Sequence, residues 1–210
     1  MSGHIILLGD SIFDNAAYVP DRPPVVEQLR RSLPAGWQAT LLAVDGHMVQ
    51  DVAQQMRILP GDVTHLFVSA GGNDALGESF RLRESVSKVS DALEMFHEIG
   101  ARFRSEYRAM LKTVVAAGKP ATVCTIYDAI PRLEPAERTA LALFNDVILF
   151  EAFAVGLPVI DLRLVCDHPS DYSPLSPIEP SVVGGAKIAR VIAEVASKHD
   201  FEQTRSMVYW

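Results

Sequence analysis

Five short runs of apolar residues punctuate the chain: Ile5–Leu8, Thr40–Val44, His65–Ser69, Thr122–Ile126 and Pro158–Leu162. None alternates strictly between apolar and polar positions. Near-continuous apolar runs of this length predict strands covered on both faces, as in a parallel sheet. The segments between them carry helical periodicity and helix-boundary residues. Helices are expected over Pro24–Leu33 behind Pro23, over Val49–Leu59 ahead of Pro60-Gly61, and over Ser87–Ala117, interrupted at Gly100 and stopped by Gly118. Pro135–Ala154 runs to Gly156, a C-terminal glycine signal, and a last helix is expected from Pro180 to His199. Strands alternating with helices predict one open sheet of five parallel strands with helices on both faces. No repeat or low-complexity linker divides the chain, so a single domain over 1–199 with a tail over 200–210 is expected.

Composition narrows the function classes. Apolar residues make up 49% and charged residues 21%, a globular balance, and 210 residues bury a core without a disulfide or metal staple. With 19 basic and 26 acidic residues the formal net charge is −7, which argues against a protein that tracks nucleic-acid phosphates. No apolar run approaches the ~18 residues of a membrane span. The start MSGHIILLGDS has no basic n-region or cleavage site, and Cys124 and Cys166 match no zinc pattern. The expectation is a cytoplasmic protein with reduced, buried thiols.

In an open parallel sheet, ligands gather at the carboxyl ends of the strands. The residues just past each run are Gly9-Asp10-Ser11, then Asp45-Gly46-His47, Gly71-Gly72-Asn73-Asp74 and Tyr127-Asp128, and finally the long segment Arg163–Glu179. There is no P-loop lysine and no G-x-G-x-x-G. Gly9 permits a tight turn that would present the Ser11 hydroxyl among backbone N–H groups, a geometry suited to acyl transfer. Gly46 lets a backbone N–H approach an oxyanion, and Asn73 adds a side-chain NH₂ donor. Together they make a nucleophile and three oxyanion donors: the Ser11 N–H, the Gly46 N–H and the Asn73 side chain. Each alone is ordinary turn chemistry. Their order, spacing and shared sheet edge carry the reading.

On these blocks the chain resembles the SGNH hydrolases, the GDSL-type esterases and lipases. The first block is Gly9-Asp10-Ser11, the second Asp45-Gly46-His47 followed by Asp51, the third Gly71-Gly72-Asn73-Asp74; the likeness runs from Ile5 to Ala196. The resemblance implies a three-layer α/β/α domain with flavodoxin-like topology. It implies Ser11 as nucleophile, with Gly46 and Asn73 as oxyanion donors. It further implies hydrolysis of small carboxylic esters or thioesters through an acyl-enzyme, with no metal or organic cofactor. Acetylated sugars and short acyl chains are the substrates considered.

The fourth block departs from the family. Where Asp-x-x-His is expected the chain reads Ser176-Pro177-Ile178-Glu179, so Glu179 stands in the place of the general-base histidine. Of the six histidines, His4 and His65 precede strands and His97 and His199 fall in helices, which leaves His47 and His168 at the active edge. The base candidates are Glu179 first, for its position, then His168, then His47. Glu179 starts from a pKa of ~4.3 and needs burial to become basic at neutral pH, while a helix N-terminus would pull the other way. The alternative is a non-catalytic acyl- or carbohydrate-binding protein of the same fold. A flavodoxin-like regulatory domain leaves Gly71-Gly72-Asn73 unexplained. Asp10 and Asp74 are expected to fix turns, and Asp14, Asn15 and Tyr18 to line the pocket or start a helix. Ala75–Ser90, with Leu76, Phe80 and Leu82, is expected to cap the pocket. The apolar end Met207–Trp210 is expected to pack back on the domain or to form a homodimer contact.

Overall fold

Residues 2–203 and 205–210 are described by a computed structural model; Met1 and Thr204 lie outside the described residues. The strands are β1 (Gly3–Gly9), β2 (Trp37–Leu41), β3 (His65–Ser69), β4 (Ala121–Cys124), β5 (Val159–Ile160) and β6 (Val208–Tyr209). The helices are α1 (Val25–Ser32), α2 (Val52–Gln55), α3 (Gly72–Glu78), α4 (Val89–Ala116), α5 (Pro135–Ala154), α6 (Leu162–Val165) and α7 (Val182–Lys198). The six strands form one parallel sheet in the order β2-β1-β3-β4-β5-β6.

The continuous apolar strands are explained by two cores, one on each face. Ile5 and Leu7 of β1 pack with Val25 and Leu29 of α1 and Ile188 and Ile192 of α7. Ile6 and Leu8, pointing the other way, pack with Phe103 and Leu111 of α4 and Ile148 of α5. Both side-chain sets of β1 are therefore removed from water, which a strictly alternating strand could not support.

Several boundaries differ from the sequence expectation. The sheet has six strands, not five: Val159 N–H donates to Met207 C=O at 2.7 Å and Asp161 N–H to Tyr209 C=O at 2.8 Å. The apolar end thus packs back as an edge strand. Its two-residue length gave no periodicity to read. β2 lies earlier than Thr40–Val44, because Leu42 and Ala43 both turn their N–H groups onto the Leu7 carbonyl, each at 2.9 Å. The stretch 49–59 breaks into 3-10 turns at Val49–Asp51 and Met56–Ile58 around α2. α4 continues through Gly100, where the missing side chain admits Leu143 of α5. α7 starts at Val182, capped by the Ser181 hydroxyl, which accepts the Val183 and Gly184 N–H groups at 3.0 and 3.2 Å.

From β1 the chain passes outward to β2 and then back across to β3. This reversal opens a crevice at the carboxyl ends of β1 and β3, the usual seat of a ligand in such sheets.

Candidate active site

The Ser11 turn is built by backbone constraint. Gly9 has φ +121°, and a Cβ there would fall 1.7 Å from the Ser69 carbonyl oxygen, so only glycine fits. Asp10 N–H donates to that oxygen at 3.1 Å, which clamps the end of β1 to β3. The Asp10 carboxyl accepts the Ile12 N–H at 3.1 Å, and the Asp10 carbonyl accepts the Phe13 and Asp14 N–H groups, each at 3.1 Å. Ser11 emerges from this closed turn almost fully buried.

The loop after β2 brings Gly46 to the same edge. Gly46 has φ +81° with open space where a Cβ would stand, so its conformation alone favours glycine. Side chains from the other blocks fasten the loop. The Asp14 carboxylate accepts the Asp45 N–H at 3.0 Å, Asp74 accepts the Val49 N–H at 3.1 Å, and Asn73 Nδ2 donates to the His47 carbonyl at 2.9 Å. That last bond uses one of the two amide hydrogens of Asn73 and leaves the other for a ligand.

Glu179 is held from three sides through the backbone around it. Ser173 N–H donates to the Glu179 carbonyl at 2.8 Å, Tyr127 Oη to the Ile178 carbonyl at 2.7 Å, and Asn15 Nδ2 to the Pro180 carbonyl at 3.0 Å. Asn15, fully buried, also accepts the Val25 N–H at 2.9 Å, so it is a strut between the turn after Ser11, α1 and the Glu179 segment. The sequence placed Asn15 only as a pocket or helix-start residue. Glu179 is 4% exposed, it lines the same cleft as Ser11, and its Oε2 has no hydrogen-bond partner.

Burial sets the electrostatics. It pushes the Glu179 carboxyl up to about 7, against the hydrogen bond with Ser11 and with help from the charge of Asp45. Asp10 is pushed up to about 8 by burial, opposed by the Ile12 N–H and reinforced by the charges of Glu179 and Asp74. Asp74 rises to about 6, again chiefly through burial. At neutral pH Asp10 is therefore mostly protonated and Glu179 near its midpoint.

A cleft of about 920 Å³, its open mouth included, adjoins these groups. Ser11, Asn73, Asp10 and Glu179 supply polar lining; Leu76, Leu82, Phe96, Ile130, Leu141 and Phe144 make apolar walls. Of the segment expected to cap the pocket, Ala75, Leu76, Ser79 and Leu82 line the cleft and Phe80 does not. Among the described residues no Lys, Arg or His lines the cleft. His168 is exposed, its Nδ1 2.9 Å from Ser170 Oγ. His47 turns its Nδ1 to Gln55 Nε2 at 3.0 Å. The structure thus gathers Ser11, Asn73 and Glu179 at one cleft, with Gly46 on the adjoining loop, and leaves His168 and His47 out of its lining. Among the described residues no cluster of His, Cys, Asp or Glu is placed to hold a metal ion, and no helix is long and apolar enough to cross a membrane. Cys124 and Cys166 are buried free thiols.

Sequence reasoning missed Gln55, a buried residue that grips Gly9. Its signal was available: Val49, Val52 and Gln55 share one inward stripe, so an amide occupies an apolar position.

The fold is shared with lipases and an esterase of known structure. A lipase from a goat rumen metagenome superposes with a TM-score of 0.72 at 16% identity, covering 95% of this chain and 100% of that one. The extracellular lipase of Streptomyces rimosus gives 0.68 at 17% identity, over 93% and 100% of the two chains. An acetyl xylan esterase from Geobacillus stearothermophilus gives 0.65 at 14%, over 95% and 98%. At these identities the likeness concerns the fold. No curated protein matches the chain. The model of the GDSL-like lipase/acylhydrolase family matches residues 7–185, a span that contains the Ser11, Gly46, Asn73 and Glu179 positions. The chain belongs to the GDSL-like lipase/acylhydrolase family.

Proposed function

We propose that the protein hydrolyses carboxylic esters with an uncharged, largely apolar acyl group, using Ser11 as nucleophile and Glu179 as general base. The observation that carries this reading is the meeting of a buried serine and a buried, raised-pKa carboxylate on the lining of an apolar cleft. In the first step Ser11 Oγ bonds to the ester carbonyl carbon while its proton passes to the Glu179 carboxylate. The carbonyl oxygen takes the negative charge and is received by the Ser11 N–H, the Gly46 N–H and the Asn73 side chain. Collapse breaks the bond to the alcohol, which leaves with the proton from Glu179. Water then attacks the acyl-serine by the same route and releases the acid. A protonated Asp10 keeps a further negative charge away from the developing oxyanion.

The absence of cationic lining disfavours acids and phosphates as acyl groups, and the apolar walls favour chains longer than acetyl. A series of p-nitrophenyl esters tests this. Each buried methylene contributes ~0.8 kcal/mol, so kcat/KM should rise about fourfold per methylene until the cleft is filled. A maximum at acetate would contradict the reading of the cleft.

Asn73 tests the oxyanion site separately. Asn73→Ala should lower kcat by about 10²–10³ with little change in KM. An effect on thermal stability alone would leave Asn73 as a loop fastener.

A further inference from the structure

Gln55 is buried at the end of α2 and reaches the carboxyl end of β1. Its Oε1 accepts the Gly9 N–H at 2.8 Å, and its Nε2 donates to the Gly9 carbonyl at 2.8 Å. This pairing fixes which end of the amide is oxygen, because the exchanged orientation would set donor against donor and acceptor against acceptor. The second hydrogen of Nε2 faces His47 Nδ1 at 3.0 Å. An amide nitrogen only donates here, so Nδ1 must supply the lone pair. In the neutral ring the hydrogen then sits on Nε2. The backbone carbonyl of the same histidine accepts from Asn73 Nδ2. One glutamine therefore joins the strand end just before Ser11 to the residue just after Gly46.

We propose that Gln55 is a positioning residue that locks His47 as the Nε2–H tautomer and holds the Gly46–His47 loop in register with the Ser11 turn. The catalytic part of this proposal rests on the serine-hydrolase reading above. The lock has two consequences. The Gly46 N–H stays fixed relative to Ser11, as an oxyanion donor must. Neutral His47 also has no free lone pair for the Ser11 proton, since the pair on Nδ1 is engaged and Nε2 carries hydrogen. His47, beside the proposed oxyanion glycine, is a donor by construction, and the base role falls to Glu179.

The test begins with the wild-type protein. Long-range ¹H–¹⁵N spectra of the imidazole nitrogens, with His47 assigned by its loss in His47→Phe, should show the Nε2–H tautomer. An Nδ1–H ring or an averaged mixture overturns the lock. Gln55→Glu keeps the acceptor for the Gly9 N–H but, once its carboxyl is ionised, sets an acceptor against both the Gly9 carbonyl and His47 Nδ1, so at a pH above the titration of that carboxyl His47 should carry hydrogen on Nδ1. An unchanged tautomer in that variant also overturns it. Gln55→Leu should release the ring to a mixture and lower kcat on the order of 10²-fold with KM little changed, as expected of a displaced oxyanion loop. Wild-type kcat with only a lower Tm in Gln55→Leu refutes the positioning role. The tautomer readout needs no turnover. A wild type that hydrolyses no ester yet shows the Nε2–H ring supports the lock and tells against the hydrolase reading alone.

Discussion

Ser11→Ala should abolish ester hydrolysis, by roughly 10⁶-fold or down to background, while leaving the fold intact. The closed turn that presents Ser11 is made by Gly9, Asp10 and Ile12 backbone and carboxyl groups, none of which the substitution touches. The lost hydroxyl removes the hydrogen bond that lowers the Glu179 pKa. Glu179 should therefore titrate at a higher pH in this variant than in wild type. Unimpaired turnover of p-nitrophenyl esters by Ser11→Ala would remove Ser11 from the mechanism, whatever the variant's stability.

The second large effect is expected at Glu179. Glu179→Gln preserves shape and removes the base, and should lower kcat by about 10²–10⁴. Glu179→Ala should do the same. Glu179→His should retain activity, because a histidine pKa of ~6.5 suits the same proton transfer. Wild-type activity should rise with pH through about 7, as Glu179 loses its proton. Stability should move the other way. Glu179 and Asp10 are raised in the folded state to about 7 and about 8, above their unfolded values of ~4. Their contribution is fully present below the unfolded pKa values, falls progressively as pH rises above ~4, and is lost once pH has passed the folded values of about 7 and about 8. Thermal denaturation should accordingly show Tm falling from about pH 4 and levelling off near pH 8, a range that includes the rise in activity, with a weaker fall in Glu179→Gln. If Glu179→Ala stays active while His168→Ala or His47→Ala is inactive, the base is a relocated histidine.

The tension between these two profiles comes from one cause, the removal of carboxyl groups from water. A carboxyl left in solvent at the head of α7 would remain ionised and weakly basic. Glu179 lies two residues before the Ser181 cap rather than within the helix, so burial prevails over the helix N-terminus. The three backbone bonds to the residues around it keep that burial in place.

The sheet and the edge that carries Ser11, Gly46 and Asn73 were legible because they depend on local signals. Apolar runs mark strands buried on two faces, and glycine marks the sharp turns that follow them. Strand order brought Ser11 and the segment ending at Glu179 to one edge, and the family resemblance singled out Glu179 there as the base candidate. What stayed hidden depends on distant partners. β6 is two residues long and exists because Asp161 and Val159 had free N–H groups to offer it. The strut role of Asn15 needs Pro180 and Val25, far away in sequence. Gln55 reads as one amide in a short helix until Gly9 and His47 close around it. The size of the cleft likewise arises from α3, α4 and α5 meeting above the strand ends, which no single segment encodes.

The central claim is that Glu179 activates Ser11, and labelling with a fluorophosphonate tests it most directly, because only an activated serine reacts. The account predicts that Ser11 alone is labelled, at a rate that rises with pH through about 7 and is lost in both Ser11→Ala and Glu179→Gln. No labelling of the wild type, or labelling that persists unchanged in Glu179→Gln, would contradict it; with no ester turned over as well, a ligand-binding protein of this fold would be the better description.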